Sequence, residues 1–201
     1  MKTILILMAD GCEEIEALAP VDILRRAKMN VQTVACTGST LMIEGSHKIF
    51  FTCDVMLCDV LKKITRGDLP DAVVCPGGIK GSANLAKSTG VSTILHTMNN
   101  AGKIISANCA APIMVLAKNG LLQNRNYTCY PGMQNDLEQY VPQTNLGTPT
   151  YIDTPFVVDG NMLTGHGPGA SFAFSLKLVE LLSDNKIAQQ LKQGMVIQDN
   201  F

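Results

Sequence analysis

The chain has no tryptophan, and only ten of its 201 residues are Phe or Tyr. Platforms for stacking bases need several aromatic faces on a positive surface. The formal net charge is −1, with both signs mixed along the chain. Neither nucleic acid nor an anionic membrane is therefore an expected partner. No apolar run reaches membrane-spanning length. Met1–Met8 is too short for a secretory leader, runs straight into Asp10-Gly-Cys-Glu-Glu and reads as a first strand, so a cytoplasmic location is expected. There is no Cys-x-x-Cys pair and no paired Cys/His spacing. That removes the usual zinc sites, and neither metal nor cofactor is expected. Histidine is scarce as well: His47, His96 and His166 are the only three. None adjoins a cysteine, which speaks against a protease-like Cys–His pair.

Cysteine is not scarce. There are seven, an odd number with irregular spacing, which fits reduced thiols better than a disulfide framework. Cys36 and Cys75 lie in apolar strand runs and read as small buried hydrophobes. Cys109 differs. In Gly102-Lys-Ile-Ile-Ser-Ala-Asn-Cys109-Ala-Ala-Pro-Ile-Met-Val-Leu-Ala117 a buried strand ends, the cysteine follows and a helix begins. The free N–H groups of a helix start favour thiolate over thiol. Such a turn also pushes its side chain out at the sheet edge, as in a nucleophile elbow. A reactive cysteine of lowered pKa is the expectation.

Five short apolar runs have parallel-strand character: Thr3–Met8, Val31–Cys36, Ala72–Cys75, Lys103–Ala107 and Met162–Thr164. Helical patterns cover Glu13–Ala27, Gly90–Asn100, Ala110–Lys118, Ser171–Leu182 and Lys186–Lys192. Pro20 should kink the first helix or break its ladder locally, and Pro112 falls in a first turn, where it costs little. Glu44–Val55 reads as a small antiparallel hairpin. Residues 126–159 read as short strands mixed with loops. No repeat or linker divides the chain. The alternation predicts one α/β domain over residues 1–201, doubly wound in the flavodoxin-like manner around a mostly parallel sheet. In such folds the crevice lies beyond the carboxyl ends of the strands. Asp10–Glu16, Pro76-Gly77-Gly78 and Cys109-Ala110 all follow strand ends, so three loops should meet at one edge.

Glu13 and Glu14 fit the first turn of a helix and serve its dipole. Glu16 has apolar neighbours. Buried beside Cys109, it would have a raised pKa and could hold or shuttle a proton. Gly77 and Gly78, with Ala110, could present N–H groups to an oxyanion, although Gly-Gly also suits a plain tight turn. His166 lies in a glycine-rich turn that could line the crevice. His96 belongs on a surface helix.

Four segments together resemble a known family: Gly11-Cys-Glu-Glu-Ile-Glu16, Cys75-Pro-Gly-Gly-Ile-Lys-Gly81, Ser106-Ala-Asn-Cys-Ala-Ala-Pro112 and Leu163-Thr-Gly-His-Gly-Pro-Gly-Ala-Ser-Phe172. They are similar to the ThiJ/PfpI (class I glutamine amidotransferase-like) superfamily, in the branch of the Parkinson-disease-associated protein deglycase and its bacterial relatives. The resemblance implies Cys109 on a strained elbow beside a protonated Glu16, donors at Gly78 and Ala110, and a homodimer that uses the first helix. It implies glutathione-independent glyoxalase or deglycase action on a small aldehyde or on glycated protein or nucleotide. The alternative is a redox-sensing cysteine with a chaperone-like stress role and little catalysis. One departure stands out. Where the branch has a histidine before proline, this chain has Tyr130-Pro131, and a phenol is a poor base near neutral pH. Ala110 occupies the place of the histidine that follows the cysteine in the protease-like branch, so peptidase action is not expected.

Overall fold

The computed structural model describes residues 1–141 and 147–198. Its strands are β1 (Thr3–Met8), β2 (Asn30–Ala35), β3 (Met42–Glu44), β4 (Phe50–Thr52), β5 (Val55–Met56), β6 (Ala72–Cys75), β7 (Ile104–Asn108), β8 (Asn126–Tyr127), β9 (Thr150–Tyr151), β10 (Phe156–Asp159) and β11 (Met162–Gly165). Its α-helices are α1 (Glu14–Arg26), α2 (Leu57–Thr65), α3 (Ile79–Lys87), α4 (Thr89–Asn100), α5 (Leu137–Tyr140), α6 (Ser171–Leu182) and α7 (Asn185–Gly194).

Seven strands form the central sheet in the order β10-β11-β7-β6-β1-β2-β5. All neighbours are parallel except the edge pair β10–β11. The five expected strands are its β1, β2, β6, β7 and β11. Both faces are covered, which explains why these strands are continuously apolar. On one face α1, α6 and α7 bury Ile4, Ile6, Ala72, Val74 and Leu163. On the other, α2, α3, α4 and the helix after β7 bury Leu5, Leu7, Val73, Ile105 and Ala107.

Several boundaries and types differ from expectation. The expected α-helix over Ala110–Lys118 is a π-helix over Pro112–Ala117, entered through a turn at Cys109 and Ala110. All six of its residues are buried, so packing rather than helix propensity sets its winding. Pro20 does not interrupt α1, which runs through it, although the ring leaves the Glu16 carbonyl without its usual donor. The hairpin is β3–β4, with Ile43 opposite Phe51. The helices α2 and α3 were not anticipated. Residues 126–159 do mix short strands with loops, together with a 3-10 turn (Met133–Asp136) and α5; residues 142–146 of that stretch lie outside the described residues.

Candidate active site

The parallel register brings three strand ends level. Cys75 pairs with Ala107, and Gly165 with Asn108. The loops after β1, β6 and β7 therefore meet, and Cys109 sits among them. Its φ is +59°, in the left-handed region that costs a non-glycine residue free energy. Two bonds hold the strained turn: the Cys109 N–H donates to the Gly165 carbonyl at 2.8 Å and to Asn108 Oδ1 at 3.0 Å. The nucleophile's own N–H is thus occupied. The N–H groups of Gly78 and Ala110 point at the sulfur instead.

Glu16 is delivered by the first turn of α1. Glu13 caps that helix and accepts the Glu16 N–H at 2.8 Å. The Glu16 side chain is 1% exposed, and its Oε2 accepts the Gly77 N–H at 2.7 Å. No N–H or hydroxyl group reaches its Oε1, and the Cys109 thiol lies against the carboxyl and acts on it. Gly77 is required here, because a Cβ on it would lie against Glu16 Oε2 and within 2.5 Å of the Cys109 Cβ. Gly78 is required for a second reason. Its φ is +83°, and a Cβ would meet the Gly11 carbonyl at 2.5 Å and the Glu13 nitrogen at 2.7 Å.

Burial pushes the Glu16 carboxyl up to about 7, against the pull of the Gly77 N–H and the Cys109 thiol. Burial, then the Glu16 charge, pushes the Cys109 thiol up to about 12, against the pull of the Gly78 and Ala110 N–H groups. The expected lowering of the thiol pKa is therefore reversed. A turn that was expected to expose the sulfur leaves it only 9% exposed, beside an acid, and two N–H groups do not offset that.

Tyr130 comes to the rim. Its N–H donates to the Cys109 carbonyl at 2.8 Å, its ring lies over Gly167, and its side chain is half exposed. His166 follows Gly165 directly and is partly buried, with Nδ1 unpartnered. No bond joins its ring to the pair. His96 is exposed and Cys75 is fully buried, as expected, whereas Cys36 is only half-buried; Cys129, next to Tyr130, is fully buried as well.

Sequence reasoning missed three things. Asn108, beside the nucleophile, holds the elbow. Met114, Ala83, Met133 and Tyr140 pack with Cys109 and Ala110. Glu14 is buried rather than a surface dipole partner: its carboxylate accepts the His47 N–H at 2.6 Å, His47 Nδ1 at 2.7 Å and Ser46 Oγ at 3.0 Å. Burial works against its ionisation, but the His47 bonds bring it down to about 2. Glu13, Glu14 and His47 hold ligand atoms within 4.8 Å of one another, a spacing a cation could bridge. Both Glu14 oxygens are already taken, so the cluster serves to tie the β3–β4 hairpin to α1. The scarcity of histidine was the signal that could have drawn attention to His47.

The DJ-1/PfpI family pattern matches residues 2–181. The chain belongs to the DJ-1/PfpI family. It is 36% identical over 194 residues to Protein DJ-1 homolog A of Arabidopsis thaliana, covering 96% of this chain and 46% of that protein, so it spans about half of that relative's length. It is 30% identical over 181 residues to a protein of Caenorhabditis elegans named a glutathione-independent glyoxalase, covering 90% of this chain and 88% of that one. Among solved structures, a DJ-1 superfamily protein from Salmonella typhimurium, crystallised as a cysteine-to-alanine mutant, superposes with a TM-score of 0.86 at 36% identity, over 98% of this chain and 100% of that one. The DJ-1/PfpI fold accounts for the mostly parallel central sheet.

Proposed function

We propose that the chain is a cysteine-dependent glyoxalase acting on small α-oxoaldehydes such as methylglyoxal, with deglycation of early adducts as the same chemistry begun from a hemiaminal. One observation carries this reading: a fully buried carboxyl, held by the Gly77 N–H, sits against a thiol that two backbone N–H groups address. A relative named as a glyoxalase supports it.

The reaction runs as follows. Ionised Glu16 takes the thiol proton as sulfur adds to the aldehyde carbon. The carbonyl electron pair moves onto oxygen, where the Gly78 and Ala110 N–H groups hold it, each donor contributing ~3 kcal/mol. Protonation of that oxygen by Glu16 gives the hemithioacetal. Glu16 then removes the proton on the same carbon, giving an enediolate; the second oxygen takes up the hydroxyl proton of the first as Glu16 returns its own proton to the neighbouring carbon, which leaves a thioester. Water releases lactate and restores the thiol. Without the branch's histidine, turnover should be slower by a factor of ~10²–10⁴. Lactate release from methylglyoxal tests the reading. Cys109→Ser and Glu16→Gln should each abolish it, and no lactate from the unmutated protein would refute the proposal.

The redox-sensor alternative needs an exposed thiolate. The upward shift and burial of Cys109 favour base-activated catalysis over spontaneous oxidation. Peroxide treatment followed by mass spectrometry decides: selective oxidation of Cys109 in a protein that makes no lactate would select the sensor.

A homodimer belongs to the same proposal. Ile15, Leu18 and Phe172 are large apolar residues left exposed on α1 and α6. Ile15 and Phe172 line a groove of about 920 Å³ that continues to Met195 and Val196 beyond α7. A second copy is the occupant this face suits.

A further inference from the structure

We propose that Met114, Met133 and Tyr140 form an apolar wall that receives the substituent of the α-oxoaldehyde, so that the site selects neutral, apolar-tailed substrates over charged ones. The proposal deepens the glyoxalase reading and rests on it for the reactive end of the substrate. The surroundings of the sulfur leave one side for that substituent. Gly77 and Glu16 close one side so tightly that not even a Cβ fits. Asn108 and Gly165 bind the Cys109 backbone from another. Gly78 and Ala110 supply N–H groups on a third. On the remaining side Cys109, Ala110 and Met114 pack with Ala83, Met133 and Tyr140.

Met133 and Tyr140 are themselves only partly buried. The side chains that pack there are two thioethers, a methyl group and a phenol. A methionine pair is suited to the task, because an unbranched thioether adapts its shape to whatever packs against it. A carboxylate tail would lose hydration among these apolar groups. It would also face the charge of Glu16, which already acts on the sulfur. Each methyl group buried on the wall should raise kcat/KM about fourfold, the equivalent of roughly 0.8 kcal/mol.

The test compares kcat/KM for glyoxal, methylglyoxal, phenylglyoxal and an α-oxoaldehyde of similar length that ends in a carboxylate. The unmutated protein should prefer them in the order phenylglyoxal, methylglyoxal, glyoxal, with the carboxylate last. Met133→Lys should shift the ratio of carboxylate-tailed substrate to methylglyoxal upward by about tenfold or more, whereas Met133→Leu, similar in volume, should leave the order intact. Substrate ratios that do not move in Met133→Lys overturn the proposal. A second measurement needs no turnover: the rates at which iodoacetamide and iodoacetate alkylate Cys109. Met133→Lys should raise the iodoacetate-to-iodoacetamide ratio. If that ratio rises and no 2-hydroxy acid forms from any substrate, the wall stands and the glyoxalase reading falls. If lactate forms and neither ratio moves, the reading stands and the wall falls.

Discussion

Glu16 carries the sharpest consequences at the residue scale. Its folded carboxyl, at about 7, lies above the ordinary range of a glutamate in an unfolded chain. The folded state therefore binds more protons than the unfolded state between about pH 4.5 and pH 7. Stability falls as pH rises through that window. The full effect of ~3 kcal/mol is felt above pH 7 and vanishes below the unfolded value. Glu16→Gln, which keeps an acceptor for the Gly77 N–H, should melt higher than the unmutated protein at pH 8 and close to it at pH 4; equal melting curves at pH 8 would contradict the raised pKa. In the active protein the same group must be ionised to accept the thiol proton, so kcat/KM should rise to a plateau as pH passes through about 7. Gly77→Ala is the complementary variant. Its methyl group would wedge between acid and thiol, and lactate formation should drop at least 10²-fold while circular dichroism stays native.

Gly78 acts at the scale of the loop joining β6 to α3. Gly78→Ala forces a strained φ and a contact with the β1–α1 loop, so it should cost about 1–3 kcal/mol by thermal denaturation. The five core strands were legible because a strand covered on both faces must be apolar throughout, as Ala72–Cys75 and Thr3–Met8 are. The three-loop crevice was legible because glycines, acids and a cysteine followed those strands. The helix α2 could have been read as well, since Leu57, Val60, Leu61 and Ile64 follow helical spacing. The winding after Pro112 could not, because no local preference distinguishes a π-turn from an α-turn when both bury the same residues. The direction of the Cys109 shift was hidden for a related reason. Helix-start donors are visible in a sequence, whereas the depth at which a thiol sits depends on Gly77, Glu16 and Ala110 closing around it.

For the whole molecule, the exposed apolar groove along α1, α6 and α7 makes assembly the property to measure. Phe172→Asp or Ile15→Asp should convert a species of twice the chain mass into a monomer in light scattering; an unmutated protein that already runs as a monomer at micromolar concentration would remove the dimer from the proposal. Ile15 and Glu16 are adjacent on α1, one facing outward and the other towards the thiol, so loss of the partner should also lower kcat. The bond from Cys109 to the Gly165 carbonyl reaches further still. It fastens the reactive turn to a strand some fifty residues away in sequence, next to the one antiparallel edge of the sheet. A protease nick or a fraying β10 would therefore slacken that anchor while most of the scaffold remained standing, which makes the far border of the sheet the place where the proposed chemistry should first begin to age.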